Sequence, residues 1–162
     1  MSTRRICYRP IGVIRTPFSS IEKVPIQPRL RRGAEGVVEV EARFEEALSD
    51  LSGFSHIILI YHFHLSRGYK PKVRPFLDNE ERGLFATRAP RRPNPIGMSV
   101  VRLKKVDGRR LYIKGIDVVD GTPLLDIKPY VPEFDLRKDA RIGWLEGKSH
   151  KAKYKRADSR FA

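Results

Sequence analysis

The 162-residue chain has the size of one domain, long enough to bury a core without metal or disulfide support, and its formal net charge is +14, from 33 Lys and Arg against 19 Asp and Glu. The single cysteine, Cys7, excludes an intramolecular disulfide framework and a cysteine zinc cluster and fits a reducing cytoplasm. The N-terminus has no apolar run behind its charges and the longest apolar stretch, 57–61, is far too short to span a bilayer, so a cytoplasmic protein with a polyanionic partner, nucleic acid first, is expected; the competing reading is a basic but inert surface.

Along the chain, 8–14 is rich in β-branched residues and ends at Thr16-Pro17, which predicts a strand closed by a turn. Residues 19–33 hold Pro25, Pro28, Arg29, Arg31 and Arg32, a pattern for a long open segment and not for a regular helix or central strand. A strand over 35–40 follows, then a short helix over 44–51 with Phe44, Ala47, Leu48 and Leu51 at helical spacing. The most hydrophobic strand, 56–64, puts Ile57, Leu59, Tyr61 and Phe63 on one face and His56, Ile58, Ile60, His62 and His64 on the other. Residues 67–81 read as a polar loop, 84–87 as a short strand, 96–106 and 110–119 as a hairpin around Asp107-Gly108, and 123–130 as a last strand. Short strands, frequent turn signals and one convincing helix predict a mainly β domain: a single closed or nearly closed antiparallel barrel over 1–135, with long loops and a basic extension over 136–162. That extension carries Lys148, Lys151, Lys153, Lys155, Arg156 and Arg160. No βαβ alternation or G-x-G-x-x-G follows a strand, which argues against a Rossmann domain.

Two stretches carry most of the chemistry. In 86–99 three prolines stiffen the backbone that bears Arg88, Arg91, Arg92 and Asn94; rigid arginines grip phosphate or carboxylate, while a proline-stiffened surface loop is the bland alternative. In 116–130, Asp120 before Gly121 suits turn chemistry, whereas Asp117 and Asp126 sit among apolar strand residues and need a partner, Arg88 or Lys128, or a polar ligand. The histidine pair His62 and His64 lacks further ligands for a zinc site, so no metal is expected.

Taken in order, 10–18 (PIGVIRTPF), 25–28 (PIQP), 53–56 (GFSH), 63–64 (FH), 85–88 (FATR), 92–99 (RPNPIGMS) and 117–130 (DVVDGTPLLDIKPY) resemble the TrmO family, also called TsaA-like or YaeB-like, of tRNA methyltransferases. The resemblance covers about 8–134. It implies a β-barrel enzyme that binds S-adenosyl-L-methionine, works as a homodimer and methylates the exocyclic nitrogen of threonylcarbamoyl-adenosine beside the anticodon, at position 37 of tRNA. It implies a cofactor site at Pro25, Ile26, Gln27, His64, Leu65, Arg88, Met98 and Ile116, Asp117, Val118 and Val119, with Asp120, Gly121 and Thr122 beside it. Arg88, Arg91, Arg92, Asn94, Lys128 and Tyr130 are the expected substrate contacts.

Methyl transfer from a sulfonium needs alignment and exclusion of water, not a covalent nucleophile, so Cys7 is read as incidental. The weakly basic acceptor nitrogen calls for a general base; Asp117, Asp126 and His64 are candidates, with the two aspartates taken as catalytic. Phe18, Tyr69 and Tyr130 are candidates for stacking on an unpaired base. The rivals are a barrel that binds RNA without catalysis and a methyltransferase for a small molecule. The Pro25 loop, the turn over 88–94 and the stretch over 117–126 are expected to converge on one site.

Overall fold

The computed structural model describes residues 5–21, 24 and 33–149. Six strands close an antiparallel barrel in the order β1-β2-β7-β6-β3-β8: β1 Gly12–Arg15, β2 Glu35–Val40, β3 His56–His62, β6 Ile96–Asp107, β7 Arg110–Lys114 and β8 Thr122–Pro129. A separate ribbon pairs β4, Lys72–Val73, with β5, Arg82–Gly83, inside the stretch read as a polar loop. Closure removes the exposed sheet edges that an open six-stranded sheet would present.

Period-two alternation sets the core. Ile57, Leu59 and Tyr61 of β3 point inward and meet Val101 and Leu103 of β6, Leu111 and Ile113 of β7, Val38 and Val40 of β2, and Ile14 and Leu124, all buried. Gly12 and Gly97 are set by close approach. A Cβ on Gly12 would collide with the backbone of Glu39 and Val40 in the neighbouring strand, and one on Gly97 would overlap the rings of Tyr61 and Phe63. The two-residue turn between β6 and β7 has Gly108 at its first central position with φ 53°, a left-handed conformation that favours glycine.

Four local expectations need correction. Residues 84–87 form no strand: Leu84–Ala86 is a 3₁₀ turn, because Leu84 plugs a small core with Ala89, Val73 and Phe76, and the Thr87 amide and hydroxyl both donate to the Leu84 carbonyl. The helix expected over 44–51 is two 3₁₀ turns, Ala42–Leu48 and Leu51–Gly53, broken where Ser49 bonds back to the Glu46 carbonyl and Asp50 turns left-handed at φ 64°. Strand β7 stops at Lys114 and not at 119, since Gly115 takes φ 94° and leads the chain off the sheet. Strand β1 starts at Gly12 and not at Tyr8; Pro10 has no amide to give a ladder.

A bulge in β8 matters most for the site. Ile60 pairs with Asp126 but Tyr61 pairs with Leu124, so Leu125 is an extra residue in the ladder. Strict alternation would send Thr122, Leu124 and Asp126 to the same inner face. The bulge flips the strand after Leu124: Ile127 packs on the core, and Asp126 turns to the outer wall.

Candidate active site at the barrel mouth

The ends of β1, β3 and β7 and the starts of β2, β6 and β8 gather at one rim, and the irregular segment 115–121 crosses it. Two hydrogen bonds fasten this segment to the end of β1. The Thr16 amide donates to Asp120 Oδ1 (3.0 Å), and the Thr16 hydroxyl donates to the Val118 carbonyl (2.8 Å). The Asp120 amide donates to the Phe18 carbonyl (2.8 Å) and Arg15 Nη1 lies 3.7 Å from Asp120 Oδ2, so Asp120 is a brace across the rim. At Gly121 the chain turns with φ 77°, and its amide reaches the Ile14 carbonyl.

Within this frame three polar side chains form one line from the core to the rim. Tyr61 and Ser99 face inward from paired strands and are buried. The Ser99 hydroxyl donates to Asp117 Oδ1 at 2.6 Å. Having spent its only hydrogen there, it accepts from the Tyr61 hydroxyl at 2.9 Å. Tyr61 in turn meets Phe63 edge to face, with ring centroids 5.4 Å apart, over the space left by Gly97.

Burial pushes the Asp117 carboxyl up to about 6, against the opposing pull of the Ser99 hydrogen bond and the charge of Arg88. Burial, with the neighbouring Asp117 charge second, holds the Tyr61 hydroxyl well above its usual range, so Tyr61 stays a proton donor. Burial and then His62 hold His64 below the ordinary imidazole value, which keeps its ring neutral at neutral pH. The site therefore pairs an acid poised to exchange a proton near neutrality with a fixed hydroxyl donor and an exposed cation, Arg88, near enough for its charge to act on both.

Not every expected residue joins this group. His64 and Leu65 lie just beyond β3, exposed, and the Phe63 amide donates to the Pro95 carbonyl, which ties that strand end to the arginine turn. Ile116, Val118 and Thr122 are buried in the core, and the Thr122 hydroxyl is spent on the Val119 carbonyl, so Ile116 and Val118 can offer a ligand backbone groups only. Met98 points outward from β6, across from Ile60. Arg91 is half-buried, Asn94 is exposed, and Arg92 donates to the carbonyls of Thr87 (2.9 Å) and Ala89 (3.4 Å) as an internal tie of its own turn.

The expected convergence of Asp126 with Asp117 does not occur. Asp126, on the outer wall, is ion-paired with Lys128 at 2.8 Å, the partner that its place in an apolar strand demanded. Strand β8 runs away from the rim, so Tyr130 sits at the other end of the barrel, edge to face with His56, its amide bonded to the His56 carbonyl. Pro25, Ile26 and Gln27 lie outside the described residues. Tyr61, Ser99 and Gly97 are not among the residues expected at the site, although one signal is there: along β6 the inward positions 97, 99, 101 and 103 hold one hydroxyl among apolar residues.

A cleft of about 480 Å³ opens at the far end, lined by Glu39, Glu45, Asp107, Arg109 and Arg110. There Arg110 lies 3.8 Å from Glu39, Arg109 donates to the Val40 carbonyl and Asp107 is ion-paired with Lys105. The raised carboxyl of Asp117 lies at the rim and not in this cleft.

A closed antiparallel barrel with a raised carboxyl at its mouth and an arginine turn in a chain of net charge +14 defines the class: a small basic β-barrel with a polar site at one rim. The chain belongs to the tRNA-methyltransferase O N-terminal domain family, whose model matches residues 13–136. It is 56% identical over 156 residues to a probable S-adenosyl-L-methionine-binding protein of Pyrococcus abyssi, covering 96% of this chain and 85% of that one. It is 40% identical over 149 residues to the tRNA (adenine(37)-N6)-methyltransferase of Escherichia coli, covering 86% and 63%. The crystal structure of TrmO from Pseudomonas aeruginosa superposes with a TM-score of 0.74 at 43% identity, covering 87% of this chain and 63% of that one. The chain thus spans most of the Pyrococcus protein and less than two thirds of the two bacterial ones.

Proposed function

We propose that this protein is an S-adenosyl-L-methionine-dependent tRNA methyltransferase that acts on the exocyclic nitrogen of threonylcarbamoyl-adenosine at position 37. The observation that carries the reading is the line Tyr61, Ser99, Asp117 ending at the barrel mouth, in a chain of this family. The donor set suits a sulfonium cofactor with an amino-acid end. Asp117 is an acid whose anion is penalised by burial and which has no salt bridge among the described residues, so a cation beside it is welcome; Arg88 is an exposed partner for a carboxylate. His64, Leu65 and the backbone over 116–122 supply the remaining wall, while Met98 faces outward and Pro25, Ile26 and Gln27 lie outside the described residues. The bound cofactor supplies an electrophilic methyl group.

The chain's own part is to orient, to hold charge and to take a proton. The acceptor nitrogen loses its hydrogen as it gains the methyl group, and the Asp117 carboxylate receives that proton while the Ser99 hydroxyl keeps it aimed. Tyr61 holds Ser99 in the one orientation that donates to Asp117. Asp126, turned outward against Lys128, is not the base in this reading. Arg88 and Arg91 engage the threonyl carboxylate or loop phosphates, while Arg92 keeps the turn rigid. Asn94 contributes from the same turn.

The protein works as a homodimer in the cytoplasm, where its substrate is found. Support for the dimer comes from the outer face of β3 and β6, on which Ile58 and Ile60 adjoin the exposed Ile96, Met98 and Val100. A second copy covers that face, and Met98→Glu should convert a dimeric mass to a monomeric one in light scattering.

Mass spectrometry of nucleosides tests the activity, using labelled S-adenosylmethionine and tRNA with and without the threonylcarbamoyl group. Label confined to the modified tRNA is the expected result. Label in neither sample would turn the reading toward an RNA-binding barrel without catalysis.

A further inference from the structure

Phe85 is the most exposed large apolar side chain among the described residues, at 78% of its surface. Such a ring gains nothing from the fold by pointing at water, yet its surroundings hold it still. The Arg92 guanidinium lies 5.5 Å from the ring centroid, and Arg92 is itself tied to the carbonyls of Thr87 and Ala89. The next residue is anchored from elsewhere in the chain: the Trp144 indole N–H donates to the Ala86 carbonyl at 2.7 Å. On the other side Leu84 is buried in the small core with Ala89. A flat π face is therefore presented to solvent, backed by a cation, on a turn fixed at three points.

We propose that Phe85, backed by Arg92, is a stacking platform for an unpaired base of the tRNA anticodon loop next to the nucleotide being methylated. This inference rests on the tRNA methyltransferase reading above and adds the residue that grips the loop. The chemistry of the surroundings selects the occupant. Arg92 lies against the ring, and Arg88 and Arg91 follow it in the same turn, a setting that suits an aromatic base carrying a phosphate and repels a greasy protein surface. Phe85 and Arg88 are three positions apart, so their Cα atoms lie at most about 11 Å from each other, and the charge of Arg88 acts on Asp117 and Tyr61. A base stacked on Phe85 is thus a near neighbour of the reacting one. RNA recognition by splayed loop bases on aromatic side chains is the physical rule this follows.

The test uses the full chain and an anticodon stem-loop RNA with 2-aminopurine at an unpaired position next to the target adenosine. The wild type and Phe85→Trp should quench 2-aminopurine fluorescence on binding. Phe85→Ala and Phe85→Leu should lose the quench, and Phe85→Ala should weaken RNA affinity about tenfold with S-adenosylmethionine affinity and the salt slope of RNA binding unchanged. Phe85→Leu keeps apolar area but no π face, so full quench and full affinity in that variant would overturn the proposal. A change in oligomeric mass for Phe85→Ala would also overturn it, because the ring would then belong to a contact between copies. A wild type that methylates tRNA normally beside an unaffected Phe85→Ala removes the platform alone; a wild type that neither binds nor methylates tRNA removes the underlying reading and the platform with it.

Discussion

Asp117 and Asp78 are both tucked into the protein, and their surroundings push them in opposite directions. Asp78 accepts from Arg82 Nε and Nη2 at 2.9 and 2.7 Å and from the amide of Asn79, and Lys148 Nζ lies 3.1 Å away. The Arg82 hydrogen bond, then that of Lys148, holds its carboxyl well below the usual range. Asp117 has one hydroxyl donor and a cation at a distance, and burial wins. An anion given every donor it can use joins parts of the chain together: Asp78 links the β4–β5 ribbon to the C-terminal segment. An anion given too few is kept ready to change its proton.

The largest expected effect comes from making the two acids alike. Asp117→Asn should lower methyl-transfer turnover by about 10²- to 10⁴-fold, the usual worth of a positioned base. The same change should raise stability at pH 7.5. A carboxyl whose folded pKa is above its unfolded value of about 3.9 stabilises nothing extra once ionised; stability falls as pH rises through the interval from about 4 to about 6. Removing the charge should therefore recover about 2–3 kcal/mol above pH 6 and nothing below pH 4, a crossover that urea melts at the two pH values will reveal. In the wild type, activity should rise with pH through about 6.

Gly97→Ala comes next, because its new Cβ overlaps the rings of Tyr61 and Phe63. We expect a loss of about 1–3 kcal/mol in denaturant melts, with Tyr61 driven off Ser99 and turnover reduced. Ser99→Ala leaves the buried Tyr61 hydroxyl without its acceptor, at a cost of about 1–3 kcal/mol. It also removes the bond that pulls Asp117 down, so the acid limb of the pH–rate profile should move to higher pH. The smallest effect is expected at Asp78→Asn. There the sign of the pH dependence is opposite: a depressed carboxyl stabilises above its unfolded value and loses that contribution as pH falls below about 4. The melting temperature should drop by a few degrees at neutral pH and converge with the wild type in acid. Trp144 is the only tryptophan, and its indole bond to Ala86 and its place beside Arg82 make its emission the local reporter; a red shift should accompany the loss of the Lys148 tie.

Much of the barrel was legible because period-two patterning and turn residues act locally. The inward row Ile57, Leu59, Tyr61 and the glycine turn after Asp107 could be read from the chain alone. The turn at Leu84 could not, because its conformation depends on a small core formed with Val73 and Phe76, which a polar loop reading gives no reason to fold back. In the site, the motifs pointed to Asp117 and to the arginine turn, but Ser99 is one small hydroxyl whose meaning depends on Tyr61 and Asp117, residues 38 and 18 positions away. Phe85 looked like a strand residue, and its exposure emerges only once the turn is formed.

The extra residue at Leu125 gives the register of β8 a chemical meaning. Deleting Leu125 would leave Asp126 opposite Ile60 and Ile127 opposite Leu59 in a regular ladder, whereas pairing Leu125 itself opposite Ile60 would shift the rest of β8 by one residue, carry Asp126 into the lumen and expel Ile127 from the core. Two carboxyls sharing so small a space would hold one proton between them at neutral pH. The register of the strand, as much as the identity of its residues, sets how many acids the barrel mouth can use.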